Sequence, residues 1–308
     1  MDRFHIVVSN YKRLSGFVDN FHKIRNFNPQ RDRVFILDCS PEGEWHNELE
    51  TARRMVDYGL TWGKNVIFVR RRNWAQNFGA VLDYYQWLLK GYIRPVSYNF
   101  FMQEHYLDTE RSVNVDTIPD NCTIDLDAVE QLFYSDMEIG CAFMSRLGVR
   151  VGVSMPGVSD LPALGLEGRE DTPFKDTDGA YLYQLAPGGV RRAFFTDGGN
   201  YIARPEPFLD YFRKYPDRLV EGNGGFGFCV VWELRLGQIL CDLGLKWVDL
   251  YHGVNFRNLD ELDAIEARLG RKISSYWYQN MNWIYYYGYD LFPEEAKRWV
   301  NTFQPITE

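Results

Sequence analysis

The sequence predicts an α/β protein with a doubly wound, mainly parallel sheet, because strand and helix patterns alternate four times within the first hundred residues. Four runs of apolar, β-branched and aromatic residues have the length of buried strands, and they lie at residues 4–9, 33–40, 66–72 and 98–102. Polar residues stand at the carboxyl end of each run. Since ligands of open α/β sheets bind beyond the carboxyl ends of the strands, we expect the functional site along that edge.

Amphipathic helices are expected between these strands. The segment LSGFVDNFHKI follows the first strand, residues 45–58 follow the second, and residues 73–90 follow the third with apolar side chains on one face. A parallel sheet needs such helical crossovers, which supports the predicted fold class.

The second half of the chain is organised differently. Residues 124–136 predict a helix, whereas residues 155–179 are rich in Gly, Pro and acidic residues without a clear period and indicate a long loop or lid. Residues 191–215 predict a strand, a Gly-Gly turn, a second strand and a helix. The last fifty residues are expected to be mostly helical and include the aromatic segment SSYWYQNMNWIYYYGYDLF.

Composition and charge exclude several classes of function. A net charge of −8 argues against a nucleic-acid partner, which would need a basic face. The chain has no apolar run of about 18 residues and no signal-peptide layout, so we expect neither a transmembrane helix nor secretion. The five cysteines are scattered without a CxxC pair, which is typical of reduced core residues in a cytoplasmic protein. The aromatic content of 16% suits sugar faces and protein interfaces alike.

Residues 226–253 predict a helix and a strand that each carry a candidate functional residue. Val230 to Leu243 repeat near the helical period, Gly244 suits the helix end, and LKWVDLY follows as a short strand. Glu233 lies near the start of the helix and His252 follows the strand, so the two side chains can converge on one cleft. The alternative is that Glu233 lies on a solvated face and His252 is an ordinary strand-end residue.

Five short motifs, in their order and spacing, resemble those of GT-A glycosyltransferases of the family 2 type over roughly residues 4–255. The segments VVSNYKR, FVDNFHKI and RVFILDCS are similar to the family's first unit, in which the first strand ends in a polar turn and the second ends in an aspartate, here Asp38. Arg72-Asn73 and Asn77-Phe78-Gly79 are similar to the helix start that lies under the nucleotide.

The resemblance implies a GT-A-like fold that transfers a sugar from a UDP-, GDP- or dTDP-linked donor to a glycan or another hydroxyl acceptor, as in polysaccharide synthesis. It implies a catalytic domain at residues 1–256, with a nucleotide-sugar half at 1–118 and an acceptor half at 119–256, and a helical, aromatic-rich extension at 257–308. Donor binding is expected from the following residues: Ser9, Tyr11, Arg13, Asp38, Arg72, Asn73, Asn77, Gln103, Glu104 and His105.

The chain departs from the family where an Asp-x-Asp motif normally holds a divalent cation, because Gln103, Glu104 and His105 stand there. One reading keeps a Mn²⁺ or Mg²⁺ ion on Glu104, His105 and His252. The other dispenses with the metal and lets residues 70–72, three consecutive arginines, neutralise the diphosphate. The arginines can also be a merely solvated strand end.

The catalytic base implied by the resemblance is Glu233, which lies eleven residues before Gly244 where the family has an aspartate, and the expected reaction is inverting. Asp197, in the segment TDGG, either binds acceptor hydroxyls or shapes the glycine turn. Two other functions stay open: a non-catalytic glycan-binding or scaffold protein of this fold, and a sugar nucleotidyltransferase. The latter would need a Gly-rich phosphate loop, which SNYKRLSG does not provide.

The aromatic tail carries a separate prediction. So many aromatic residues in one segment are expected to form the face of a homodimer or an acceptor platform. The alternative is a helix packed on the sheet.

Overall fold

The computed structural model describes residues 1–72, 76–108, 123–143, 147–153, 184–185, 190–196, 199–216, 236–237, 239–250, 252–270 and 273–278. Its strands, in chain order, are β1 (Asp2–Asn10), β2 (Ile24–Arg25), β3 (Arg33–Asp38), β4 (Val66–Arg70), β5 (Val96–Gln103), β6 (Ile124–Asp125), β7 (Ile139–Phe143), β8 (Leu147–Val153), β9 (Gln184–Leu185), β10 (Val190–Thr196), β11 (Tyr201–Ala203), β12 (Lys246–Asp249), β13 (Val254–Phe256) and β14 (Ser274–Tyr278).

The α-helices with defined bounds are α1 (Leu14–Asp19), α2 (Trp45–Arg53), α3 (Gln76–Leu89), α4 (Leu126–Ser135), α5 (Glu206–Lys214) and α6 (Leu259–Leu269). Short 3₁₀ turns at Phe21–Lys23 and Arg54–Tyr58 extend α1 and α2. Among the residues described, no helix is long and apolar enough to cross a membrane.

The central sheet has eight strands in the order β13–β12–β7–β11–β5–β1–β3–β4. Pairing along β5, β1, β3 and β4 is parallel, as it is between β7 and β12, whereas β11 and β13 run antiparallel to their neighbours. This mixed, mainly parallel sheet flanked by helices confirms the predicted fold class, and the first four predicted strands are all present.

Strand register decides which residues meet at the carboxyl edge. Asn10 at the end of β1 pairs with Asp38 at the end of β3, and Asp38 pairs with Arg70 at the end of β4. On the other side of β1, Ser9 pairs with Gln103 at the end of β5. The predicted donor residues therefore come from strands that end side by side.

Apolar residues on alternate positions of β1 fill two core layers, one on each face of the sheet. Val7 packs on the face covered by α3 and α5, whereas Phe4, Ile6 and Val8 pack on the face covered by α1 and α4. All nine residues of β1 are buried, which places this strand at the centre of the protein. A strand buried on both faces has little freedom to shift, so its carboxyl end is a rigid support for a site.

A second sheet of four strands has the order β14–β8–β10–β9. The prediction that residues 274–278 are helical was wrong, because they form β14, which runs parallel to β8. Their sequence, SSYWY, has the adjacent aromatic residues that suit a strand. The helix before them ends at Gly270, which has a φ of +66°. Residues 279–308, which carry the rest of the predicted dimer face, lie outside the described residues.

The predicted helix of residues 230–243 is helical where the structure describes it, at residues 236–237 and 239–242. Gly244 ends it with a φ of +65°, as expected for a helix end, and β12 follows. Helix α6 buries Leu259 and Leu262 in one of the two core layers. The division into domains at residue 256 stays a prediction.

Candidate functional site

An open cleft of about 610 Å³ lies beyond the carboxyl ends of β1, β3 and β4. The residues that border it are Tyr11, Cys39, Ser40, Pro41, Glu42, Arg70, Arg71 and Arg72. Three arginines against one glutamate make this border positively charged on balance. Such a cleft suits an anionic ligand, and Tyr11, with 44% of its surface exposed, offers it a flat ring.

Asp38 lies buried next to the cleft, and its two carboxylate oxygens differ in their hydrogen bonding. Its Oδ1 accepts hydrogen bonds from Nδ2 of Asn10 at 2.7 Å and from Oγ of Ser40 at 2.6 Å. Its Oδ2 is buried and, among the residues that the structure describes, has no hydrogen-bond partner. A buried acceptor without a donor is costly, so this oxygen indicates a place for a ligand donor.

Asn10 connects two buried carboxylates. Besides its bond to Asp38, its Nδ2 donates to Oε2 of Glu48 at 2.9 Å, so both amide hydrogens are used. Asn10 is fully buried and Glu48 is 8% exposed. Neither residue was predicted from the sequence to belong to the site. Asn10 is polar and ends an apolar strand, which is a usable signal, whereas nothing local marks Glu48 on α2.

The turn after β1 has strained backbone at Lys12, which has a φ of +68°. A left-handed conformation costs a non-glycine residue about 1–2 kcal/mol. The Lys12 N–H donates to Oγ of Ser40 at 2.9 Å, and the Lys12 ammonium bonds Glu44 at 2.9 Å, which raises the pKa of Lys12. These contacts hold the neighbouring Tyr11 at the cleft.

The three arginines have different surroundings. Arg71 donates from Nε to Asp83 on α3 at 2.7 Å, and its side chain is 4% exposed, so it ties β4 to α3. Arg70 lies over the ring of Trp45, with 5.2 Å from the guanidinium carbon to the ring centre. Arg72, like Arg70, borders the cleft and is exposed.

Cys39 also borders the cleft but is an unreactive group. Its thiol donates to the carbonyl oxygen of Asn10 at 3.0 Å, and burial raises the pKa of Cys39 to about 11. It therefore stays a neutral thiol at physiological pH.

The turn that begins at Gln103 lies beside Ser9. The Gln103 N–H donates to Oδ1 of Asn200 at 2.9 Å, and the Glu104 N–H donates to the Ser9 carbonyl at 3.1 Å. Nδ1 of His105 is 4.0 Å from Oε2 of Glu104. Backbone N–H groups thus hold Gln103 and Glu104 next to the end of β1, and His105 follows them in the turn.

Ser9 and Asn77 border a second, smaller cavity together with Gly199. Gly199 has a φ of +70°, and a Cβ atom there would lie 2.8 Å from the ring of Phe78 on α3. Only glycine therefore lets this turn lie against the helix. Asp197, two residues earlier, is outside the described residues, as are Asn73 and Glu233. Arg13 is exposed directly before α1.

His252 is oriented by Asp249 at the end of β12. Oδ2 of Asp249 is 2.5 Å from Nδ1 of His252, and Oδ1 of Asp249 accepts the His252 N–H at 3.0 Å. In the sheet order β12 is three places from β5, which is roughly 14 Å at the usual strand spacing.

The described part of the chain contains no cluster of three metal-ligating side chains. No group of three or more His, Cys, Asp or Glu side chains in the described part of the chain can hold a metal ion, so Glu104, His105 and His252 do not form such a group there. We therefore derive no reaction step through Mn²⁺ or Mg²⁺ from these residues.

Comparison with known proteins gives structural neighbours only. No protein-family model and no curated protein sequence matches the chain. Similar solved structures include S. aureus TarS 1–349 (13% identity, TM-score 0.34, 76% of this chain and 56% of that chain). They also include the mannosyltransferase PcManGT from Pyrobaculum calidifontis with GDP-Man and Mn²⁺ (11%, 0.40, 82% and 56%). A third is the galactosyltransferase LgtC with donor and acceptor sugar analogues (11%, 0.34, 98% and 98%).

The chain thus spans 56% of the length of the first two of these structures. Two of the three are named for sugar transfer, which is the activity that the sequence resemblance leads us to expect. With TM-scores of 0.34 to 0.40, these likenesses carry no functional argument. The function is therefore proposed from this chain's own residues.

Proposed function

We propose that this protein is a glycosyltransferase that moves a sugar from a nucleotide-sugar donor to a hydroxyl group of a glycan or another acceptor. The observation that carries the proposal is the buried Oδ2 of Asp38, which no described residue hydrogen-bonds, beside an arginine-bordered cleft at the carboxyl edge of a parallel sheet. The nucleoside supplies an N–H or O–H donor for that oxygen and a flat base for Tyr11. The diphosphate supplies the negative charge that the arginines attract.

The reaction needs a base on one side of the sugar and positive charge on the other. Glu233 takes the proton of the acceptor hydroxyl as that oxygen bonds to the anomeric carbon, and the bond from this carbon to the diphosphate oxygen breaks. Attack from the face opposite the leaving group inverts the configuration. Arg72 and Arg70 stabilise the negative charge that develops on the departing diphosphate. Asp197 is the other carboxylate proposed for the acceptor side.

Asp38→Asn is the variant that tests the nucleotide site. The substitution keeps an oxygen for Asn10 and Ser40 but replaces the buried Oδ2 by an NH₂ donor. A hydrogen bond to a charged acceptor contributes about 1.5–3 kcal/mol, so we expect calorimetry to show binding of UDP, GDP or dTDP weakened about 10- to 150-fold. The melting temperature should change little. Asp38→Ala is less suitable, because it leaves two buried donors without an acceptor.

The control for charge is Glu42→Gln, which removes one negative charge from the same cleft without touching the buried acceptor. Its affinity should equal or slightly exceed that of the parent, since the cleft becomes more positive. An Asp38→Asn variant that binds the same nucleotide as tightly as the parent would remove Asp38 from the donor site.

Metal removal tests the charge on the leaving-group side. Because Gln103 and His105 stand where the resemblance leads us to expect acids, we expect sugar transfer to persist in excess EDTA. The measurement is the transfer rate before and after dialysis against EDTA, with Mn²⁺ added back. Complete loss that Mn²⁺ restores would show that a cation, and not the arginines, neutralises the diphosphate.

A further inference from the structure

We propose that Glu48 is a positioning residue of the nucleotide site: from α2 it holds the turn between β1 and α1, and with it the cleft wall that carries Tyr11. This inference rests on the proposed function, because the wall matters only if a nucleotide occupies the cleft. Glu48 does not itself border the cleft, so it acts through the residues that it holds.

Glu48 bonds both ends of the turn with one oxygen. Its Oε2 accepts from Nδ2 of Asn10 and from the backbone N–H of Leu14, each at 2.9 Å. These two residues flank Tyr11, Lys12 and Arg13 in the sequence. A single buried carboxylate thus fixes the distance between the end of the strand and the start of the helix.

Helix α1 depends on this contact because its own preceding residue offers no cap. The side chain of Arg13 makes no capping hydrogen bond to the helix. The first N–H groups of a helix need acceptors from outside it, and Glu48 supplies one from another element. In this way α2, which begins after β3, determines where α1 starts.

The backbone strain at Lys12 connects this contact with the cleft. Lys12 keeps its φ of +68° between two anchors, the Ser40 hydroxyl on its own N–H and Glu48 on Leu14 two residues later. A strained residue persists only while the surrounding structure holds it. Without the second anchor the turn can relax to negative φ, which would move Tyr11 from its position at the cleft.

Two substitutions at position 48 separate positioning from bulk stability. Glu48→Gln presents an amide oxygen at the same reach and can still accept from Asn10 and Leu14. Glu48→Asp keeps the charge but is one methylene shorter, so it cannot reach both donors. If Glu48 positions the turn through the length of its side chain, Glu48→Asp should bind nucleotide more weakly than the parent, whereas Glu48→Gln should bind it as the parent does.

The control for stability is Asp125→Ala, which removes another helix cap. Asp125 accepts from the N–H groups of Asp127 and Ala128 at the start of α4. It lies near the amino end of β1, since Asp127 bonds Arg3, and therefore far from the cleft. Loss of this cap should lower the melting temperature without changing nucleotide affinity.

The experiment measures, for parent and variants below their melting temperatures, the dissociation constants of UDP, GDP and dTDP and the hydrogen exchange of the amides of residues 12–14. We expect Glu48→Asp to bind the preferred nucleotide about tenfold more weakly and to exchange these amides faster. Glu48→Gln and Asp125→Ala should stay within about twofold of the parent affinity.

Parental affinity in Glu48→Asp, or equal weakening in Glu48→Gln, would overturn the positioning role. If the parent binds none of the three nucleotides, the proposed function fails instead. Hydrogen exchange then tests the contact between Glu48 and the turn without any nucleotide. Exchange at parental rates in Glu48→Asp would contradict that contact.

Discussion

Replacing Asn10 with aspartate is expected to destabilise the protein by about 3–5 kcal/mol at neutral pH, the cost typical of leaving an uncompensated charge in a buried network. The amide of Asn10 donates one hydrogen bond to Asp38 and one to Glu48. In the variant both donors are lost, and a third carboxylate stands within hydrogen-bond distance of two others. All three positions are buried, so water cannot screen the repulsion.

The loss should depend on pH in a defined direction. At least one of the three carboxyl groups must take up a proton for the variant to fold, so its folded state binds more protons than its unfolded chain. The stability of the variant relative to the parent therefore falls as pH rises. Urea denaturation at pH 5 and pH 8 measures both values.

Asn26→Asp is the matched control for this variant. Asn26 also donates from Nδ2 to a carboxylate, Oδ1 of Asp125 at 2.8 Å, but this contact is exposed. Solvent screening should limit its effect to about 1 kcal/mol or less. An Asn10→Asp variant as stable as the Asn26→Asp variant at pH 8 would show that Asn10 does not hold the two carboxylates.

Glu233→Gln is expected to lower the rate of sugar transfer by about 10²–10⁴-fold, the usual contribution of a general base. The substitution keeps the size of the side chain but removes its ability to accept the proton of the acceptor hydroxyl. Donor affinity should hardly change, since the proposed nucleotide site is formed by other residues. Initial rates and donor binding measured on the same preparation test both statements.

Asp197→Asn is the comparison for the base, because Asp197 is the other carboxylate proposed for the acceptor side. A Glu233→Gln variant that keeps more than about a tenth of the parental rate is not missing its base. If Asp197→Asn then shows the larger fall, the role of base passes to Asp197.

The sequence predicted the first four strands of the central sheet well because their signals are local. Each of the first four strands is a continuous apolar run that ends in polar residues, and a helix with one apolar face follows the first three. The structure supplies the register, in which Asn10 pairs with Asp38.

β7 and β14 are two of the strands that the sequence pattern did not predict. β7 has the sequence IGCAF, a five-residue run interrupted by glycine, too short and too weakly β-branched to stand out. β14 follows a helix in a segment whose aromatic residues fit a packed helix as well as a strand. It is decided by its pairing with β8, more than a hundred residues earlier in the sequence. Neither pairing has a signal within a short window.

The hydrogen bonds of Glu48 to Asn10 and Leu14 beside the cleft also join residues that are distant in the sequence. Glu48 is 38 residues from Asn10 and 34 from Leu14 along the chain, so only the docking of α2 against α1 brings them together. Arg71 has a partner that the sequence did not indicate. The sequence showed three consecutive arginines without distinguishing them, whereas in the structure Arg71 donates a hydrogen bond to Asp83. Side-chain partners of this kind are set by packing, which periodicity does not encode.

Cleavage of nucleotide-sugar donors tests the central claim most directly. The parent protein is incubated with UDP-, GDP- and dTDP-linked sugars, with and without candidate glycan acceptors, and the released nucleoside diphosphate is measured. We predict release from one nucleotide class, faster with an acceptor, and a strong reduction in Glu233→Gln. Binding of a glycan without release from any donor would contradict the account and indicate a glycan-binding protein of the same fold.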